Sequence, residues 1–193
     1  MKGRPTLFEN SELVNKAQGL FWEKGYTATS LSDLLAVTGV GSGSFYNTFK
    51  GGKKEIFRAA ILQRRIAFED FKKELERSES PLELIKDFFR SVAKSERADH
   101  LRGCIIANTV VEMTYVDEEL EAEAIRILKD VEQMFVAAIE KEKDSGGLLN
   151  PMPAKVLGKY LLTFWCGLNT LRRMYPEQKI LAEQVEMQLA VIG

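Results

Sequence analysis

The chain has 193 residues, enough to bury a substantial core, which excludes a disulfide-dependent mini-protein. Its side chains are 45% hydrophobic and 28% charged, a composition of neither disordered nor membrane-embedded proteins. The formal net charge of −1, from 27 basic and 28 acidic residues, speaks against a uniformly basic protein that coats nucleic acid.

That neutrality is uneven along the chain. Residues 1–65 hold ten basic and five acidic side chains, so the front carries +5 and the remainder −6. The asymmetry fits a front section that meets an anion, and it equally fits chance clustering on solvated helix faces. Cys104 and Cys166 match no metal-finger or disulfide framework, and the single histidine, His100, lies in the polar stretch SERADHLRG. No metal or cofactor is therefore expected, and a reducing cytoplasm is the expected compartment. No apolar run reaches the ~18 residues of a membrane span, and the N-terminus lacks an apolar signal core, so no membrane partner is expected.

In chain order, every segment reads as helix. Asn10 is expected to cap a first helix from Ser11, with Leu13, Val14, Ala17, Leu20 and Phe21 on one face and Gly25 as its stop. Ser30-Leu31-Ser32-Asp33 is a capping box opening a second helix through Val37, ended by Gly39-Val40-Gly41. A third spans Ser42 to Phe49. A long helix runs from Lys53 to about Arg77, burying Phe57, Ala60, Ile61, Phe68, Phe71 and Leu75.

Ser80-Pro81-Leu82-Glu83 is a second start signal, with a capping serine, proline at the first helical position and a glutamate to complete the box. Leu82, Ile85, Phe88, Phe89 and Val92 form the inner stripe that follows. Cys104 to Met113 is apolar and β-branched; pattern alone leaves helix and buried strand open, and its helical surroundings favour helix. Asp117 begins a helix that carries Leu120, Ala124, Ile127, Leu128, Val131, Met134, Phe135, Ala138 and Ile139 to a stop at Gly146-Gly147. Two more, about Ala154 to Tyr175 and Gln178 to Ile192, are separated by Pro176. The expected fold is all-α, divided into domains at 1–52 and 53–193 where short helices give way to long ones.

The segment SLSDLLAVTGVGSGSFYNTF places two short helices around a glycine-containing turn, the pattern of a helix-turn-helix whose second helix enters the major groove of DNA. Leu31, Leu34, Leu35, Val40 and Phe45 are its candidate core, while Ser42, Ser44, Asn47 and Thr48 are short and polar. On periodicity alone an ordinary αα-hairpin with a glycine turn fits as well.

The run LFWEKGYTATSLSDLLAVTGVGSGSFYNTFKGGKKEIF resembles the DNA-binding domain of TetR-family transcriptional regulators almost throughout. The matching features are Gly25-Tyr26, Thr29-Ser30, Thr38-Gly39-Val40, Gly43-Ser44-Phe45-Tyr46, Phe49 and Lys53. The resemblance implies a homodimer that reads a palindromic double-stranded operator with an N-terminal three-helix domain and carries a C-terminal helical domain for ligand binding and dimerisation. It implies that Ser42, Gly43, Ser44 and Asn47 approach base edges, that Tyr46, Thr48 and Lys53 hold phosphates, and that Thr29 and Ser30 add contacts to the DNA backbone. Two departures stand out: Ser42 occupies a position often basic in relatives, and FKGGKKEIF is one residue longer than usual, so Lys53 and Lys54 compete for one role.

The back section is similar more loosely. RGCIIAN, with Cys104 and Asn108, and FWCGLNTLRRM, with Trp165 and Asn169, resemble a subgroup that includes the N-ethylmaleimide-responsive repressors. The resemblance implies an electrophile-sensing role for Cys104, its thiol activated by Arg102 or Arg173; the competing reading makes it a small buried hydrophobe, which is favoured narrowly for Cys104 and clearly for Cys166. Phe68, Phe88, Phe135 and Trp165, with Asn108 and Asn169 orienting, are candidates to surround an aromatic or electrophilic effector, although an aromatic stripe at helical spacing is equally plain core. The expected function is a ligand- or electrophile-responsive repressor. A helical adaptor without DNA-binding activity is the alternative, and with no nucleophile motif or phosphate loop the chain is not expected to be an enzyme.

Overall fold

The structure is a computed structural model that describes residues 7–193, with side chains from residue 11 onward. Its described residues form ten α-helices and a terminal 3-10 turn, with no strand among them. In chain order they are α1 (Leu7–Lys24), α2 (Leu31–Thr38), α3 (Ser42–Thr48), α4 (Gly52–Arg77), α5 (Pro81–Ala93), α6 (Arg97–Arg102), α7 (Ile105–Met113), α8 (Glu118–Asp144), α9 (Ala154–Met174) and α10 (Gln178–Leu189). Contacts group them into two compact units, one of residues up to Ile66 together with Ile105–Ala124, the other of Ala67–Cys104 and Ile125–Gly193. This grouping cuts through α4 and α8 and gives α7 to the first unit, whereas the expected division at 52 and 53 follows helix length along the chain.

The first unit is built on aromatic packing. Phe21 of α1 meets Phe57 of α4 edge-on at 4.8 Å, and Phe45 of α3 lies 5.4 Å from Phe49. Helix α3 has seven residues, too short to persist alone in water. Burial of Phe45 and Phe49, at 0% and 5% exposure, contributes roughly 1.5–3 kcal/mol each and holds it in place. The α2 start is as expected: Ser30 Oγ accepts from Asp33 N at 3.1 Å and Asp33 accepts from Ser30 N at 2.9 Å. Of the five expected core residues of the helix-turn-helix, Leu34 and Phe45 are fully buried, while Leu31, Leu35 and Val40 are half-buried, because two short helices cover only one side of each other.

In the second unit α5 lies against α10, and α6 against α9. Phe89 of α5 stacks on Phe164 of α9 at 4.6 Å and sits 6.2 Å from Phe135 of α8. Arg90 forks onto Glu186 of α10 through Nε at 2.8 Å and Nη2 at 3.2 Å, a bidentate arrangement that fixes the register of the two helices.

Three expectations need correction. Helix α1 is already formed at Leu7, so Asn10 lies inside it rather than at its start; the Asn10 side chain is outside the described residues. The Ser80–Glu83 box does not form: Ser80 precedes α5 without a side-chain cap, and the free amide of Leu82 donates instead to Glu142 of α8 at 3.1 Å. His100 is not in a polar loop. It sits in α6 with no exposed surface, because packing on α9 gives this short polar segment an inner face that its sequence does not mark.

Candidate nucleic-acid interface and effector site

Helix α1 ends at Gly25, whose φ of 81° is left-handed backbone that favours glycine. The next two amides, of Tyr26 and Thr27, donate to the Glu112 carboxylate of α7 at 2.9 and 2.7 Å. A Cβ on Gly25 would stand 2.9 Å from that carboxylate, so glycine serves both the turn and the approach. Glu112 thus anchors the α1–α2 turn. Nothing in the sequence marks it, since its partners lie 85 and 86 residues away.

Around this turn the expected DNA-contacting residues fall into two groups. Ser42, Gly43, Ser44 and Asn47 are all exposed on α3, and no atom lies within 4 Å of where a Gly43 Cβ would be. Tyr46 is 47% exposed with its ring edge-on to Phe45 at 5.6 Å, so its body is braced and its outer surface free. Thr48 is half-buried and donates to Ser44 O at 3.0 Å. Ser30 is exposed while its hydroxyl serves the cap.

Thr29 differs. It is 1% exposed, its hydroxyl donates to Gly25 O at 2.6 Å and its amide to Tyr26 O at 3.1 Å. Both donors are spent inside the turn.

The two competing lysines separate clearly. Lys54 makes ion pairs with Asp117 and Glu119 at 2.8 Å each, whereas the Lys53 ammonium lies over the Tyr26 ring at 4.3 Å and donates to Thr27 O at 3.4 Å. Burial holds Lys53 below the ordinary lysine range. Arg58 is likewise taken up, by Glu123 at 2.8 Å and Glu119 at 3.1 Å.

In the second unit, Gly103 turns the chain from α6 toward Cys104 with φ 66° and ψ −142°, a combination essentially confined to glycine. Its carbonyl accepts from Arg172 Nη2 at 2.8 Å, and the Arg102 carbonyl accepts from Arg173 at 2.7 Å. A Cβ at Gly103 would stand 3.0 Å from the Arg173 guanidinium. Cys104 is 4% exposed, and it acts electrostatically on the Arg172 guanidinium. Cys166 lies close enough to feel Cys104, and burial pushes its thiol up to about 11.

The expected effector residues are brought together in part. Phe88 packs on Trp165 at 5.1 Å and, through Phe89, connects to Phe135. Phe135, at 1% exposure, is core, while Phe88 and Phe68 are half-buried. Asn169 is buried and its amide nitrogen donates back to Trp165 O at 2.7 Å. Asn108 is half-buried on α7 and is grouped with the first unit. A surface depression lined by Lys72, Leu75, Met134 and Lys141 contains none of Phe68, Phe88, Asn108, Phe135, Trp165 and Asn169. The described residues hold no His, Cys, Asp and Glu cluster suited to a metal, and none of their helices is long and apolar enough to cross a membrane.

Residues 13–60 match the model for bacterial regulatory proteins of the tetR family. Residues 81–187, more than half of the chain, match the tetracyclin repressor-like C-terminal domain. The chain belongs to the tetR family, whose members are transcriptional regulators rather than enzymes. It is 28% identical to the uncharacterized HTH-type transcriptional regulator YezE of Bacillus subtilis (strain 168), over 98% of this chain and 99% of that one. It is 26% identical to the HTH-type transcriptional repressor DhaR of Mycobacterium sp. (strain GP1), over 80% of this chain and 77% of that one. Among solved structures, the reduced form of E. coli NemR matches with a TM-score of 0.83 at 18% identity, over 96% of this chain and 97% of that one. A cysteine mutant of the TetR family regulator CifR, complexed with 26bp double-strand operator DNA, matches at 0.80 and 22% identity over 99% of this chain and 100% of that one. These likenesses establish the fold.

Proposed function

We propose that this regulator is a repressor that binds a palindromic DNA operator as a homodimer and leaves it when an effector occupies the second unit. In this reading residues 1–52, together with Lys53 at the head of the following section, address DNA, and residues 53–193 bind effector and partner subunit. The observation that carries it is α3: Phe45 and Phe49 anchor the helix inward while Ser42, Gly43, Ser44 and Asn47 stand exposed on it, so small polar groups face outward where base edges would be read. Tyr46, Thr48 and Lys53 supply the phosphate contacts, with Ser30 beside them; Thr29 drops out. The repressor DhaR and the operator complex of CifR support the same assignment.

For the dimer this reading draws on α9 and α10, which carry exposed apolar side chains, among them Val156, Met174, Ile180 and Met187 at 40–62% exposure. Effector-driven release requires only that the effector bind a non-DNA-binding arrangement more tightly, by ~1.4 kcal/mol for each tenfold of occupancy. The effector is of aromatic or electrophilic character, and an electrophile would act through Cys104.

Gel shift on the DNA flanking the protein's own gene tests this. Salt-dependent retention of one palindromic fragment is expected; an absence of salt-dependent affinity would favour the helical adaptor instead.

A further inference from the structure

Arg172 is a buried cation without a carboxylate partner. It is 6% exposed, its Nη2 donates to Gly103 O at 2.8 Å, and its Nε has no partner. Cys104 and, from α6, Asp99 act on it without pairing with it, and Asp99 itself stands 3.7 Å from Arg102. A guanidinium taken from water without a counter-ion is costly, and buried polar groups in native proteins are nearly always satisfied.

The atoms around it are stranded in the same way. Trp165, Asn169 and Arg172 recur four and three residues apart and so share one face of α9. Trp165 Nε1 and Asn169 Oδ1 are buried without partners, and the His100 ring, also buried, has the Ser95 backbone as a hydrogen-bonding neighbour. His100 belongs to this group because the charge of Arg172, after burial itself, keeps its imidazole toward the neutral form. The cluster therefore combines a positive charge, unmet donors and an unmet acceptor, bordered by the Phe88 and Trp165 rings at 5.1 Å. Water can satisfy single atoms but leaves the charge uncompensated. A carboxylate accepts from Arg172 and Trp165 and neutralises the guanidinium, its body lying against the aromatic rings, and a hydroxyl on that body answers Asn169 Oδ1.

We propose that this cluster binds an organic carboxylate of aromatic or apolar body, and that such an acid is the effector; the second half rests on the repressor reading above. The probes are 4-hydroxybenzoate, benzoate, 3-phenylpropanoate and octanoate, each against its neutral amide, read by thermal shift and titration calorimetry on the full chain. At least one carboxylate should raise the Tm saturably while its amide does not, and Arg172→Met should weaken that binding at least tenfold while keeping or raising the stability of the unliganded protein. Trp165→Phe removes one donor with little change in packing; it should also weaken binding, and it carries the test should Arg172→Met fail to fold. Saturable binding by none of the four, equal binding of acid and amide, or undiminished binding in Trp165→Phe would overturn the site. Gel shift separates the two halves. A carboxylate that binds but leaves an operator complex intact removes the effector role alone, whereas a protein that retains no operator removes the repressor reading and leaves the thermal-shift result standing.

Discussion

Lys53 and Lys54 are adjacent, identical in type and indistinguishable by composition, yet their surroundings assign them different work. Lys54 is held by two carboxylates, and Lys53 rests on an aromatic face beside the exposed Thr27 carbonyl. Lys53→Ala should weaken operator binding about equally across sequences and lower the slope of log affinity against log salt by ~1, whereas Asn47→Ala should relax preference at one base position by ~1–3 kcal/mol. Salt titrations with matched and singly altered operators read both effects, and unchanged affinity in both variants would remove these assignments. Gly103, like Gly25, is a residue whose identity is dictated by conformation. Gly103→Ala forces a side chain into a backbone region costing ~1–3 kcal/mol and toward the Arg173 guanidinium, so urea denaturation should show a loss of about that size. A variant as stable as wild type would mean that the Gly103 turn relaxes without cost.

At the scale of elements, local signals were legible where both partners of an interaction lie within one turn. The Ser30–Asp33 box is such a case, since hydroxyl, carboxylate and both amides belong to four consecutive residues. Ser80–Glu83 carries the same pattern without the structure. The α5 start faces Glu142, 60 residues on, and a buried carboxylate reaching a free amide outcompetes a cap that must form in solvent. Glu142→Ala should therefore destabilise the protein by ~1–3 kcal/mol, while Ser80→Ala should stay within ~0.5 kcal/mol. Equal losses in chemical denaturation would restore the serine as the cap. The seven-residue α3 makes the complementary point: its pattern was readable, but Phe45 and Phe49 hold it only because other elements cover them.

Over the whole molecule, charge and titration come together. The +5 front section fits a surface that meets an anion as well as it fits chance clustering, and Lys54 and Arg58 are neutralised within the first unit by Asp117, Glu119 and Glu123. The hydrogen bond from Lys54 holds the Glu119 carboxyl below its ordinary range, that from Lys24 does so for Asp33, and that from Arg90 for Glu186. Groups with depressed folded values stabilise the fold above their unfolded pKa, ~4 for carboxylates, and lose that contribution as pH falls further. Buried His100 is also depressed, so its contribution is present above an unfolded value near 6.5 and fades below it. Cys166, raised to about 11 from 9.0, acts at the other end: stability is intact below 9 and declines as pH rises toward 11. Urea midpoints across pH should therefore fall from pH 7 to 5, fall more steeply below ~4, and fall again above 9. His100→Gln should flatten the first decline, and a wild-type midpoint constant from pH 7 to 5 would contradict the burial of His100.

The sequence by itself determined the all-α class and the positions of nearly every helix, because helical periodicity, capping within a turn and glycine stops are encoded in neighbouring residues; between a helix-turn-helix and an ordinary αα-hairpin it was the family resemblance, not periodicity, that decided. The sequence also carried most of the exposed α3 face. Only the tertiary structure decided which lysine pairs with carboxylates, that Thr29 is buried, that α5 is capped from α8, that Glu112 anchors the first turn and that Arg172 is buried without an ion pair beside Gly103. Periodicity states which face of a helix is buried but not what lies against it, and each of these outcomes depends on a partner or a packing surface supplied by another element.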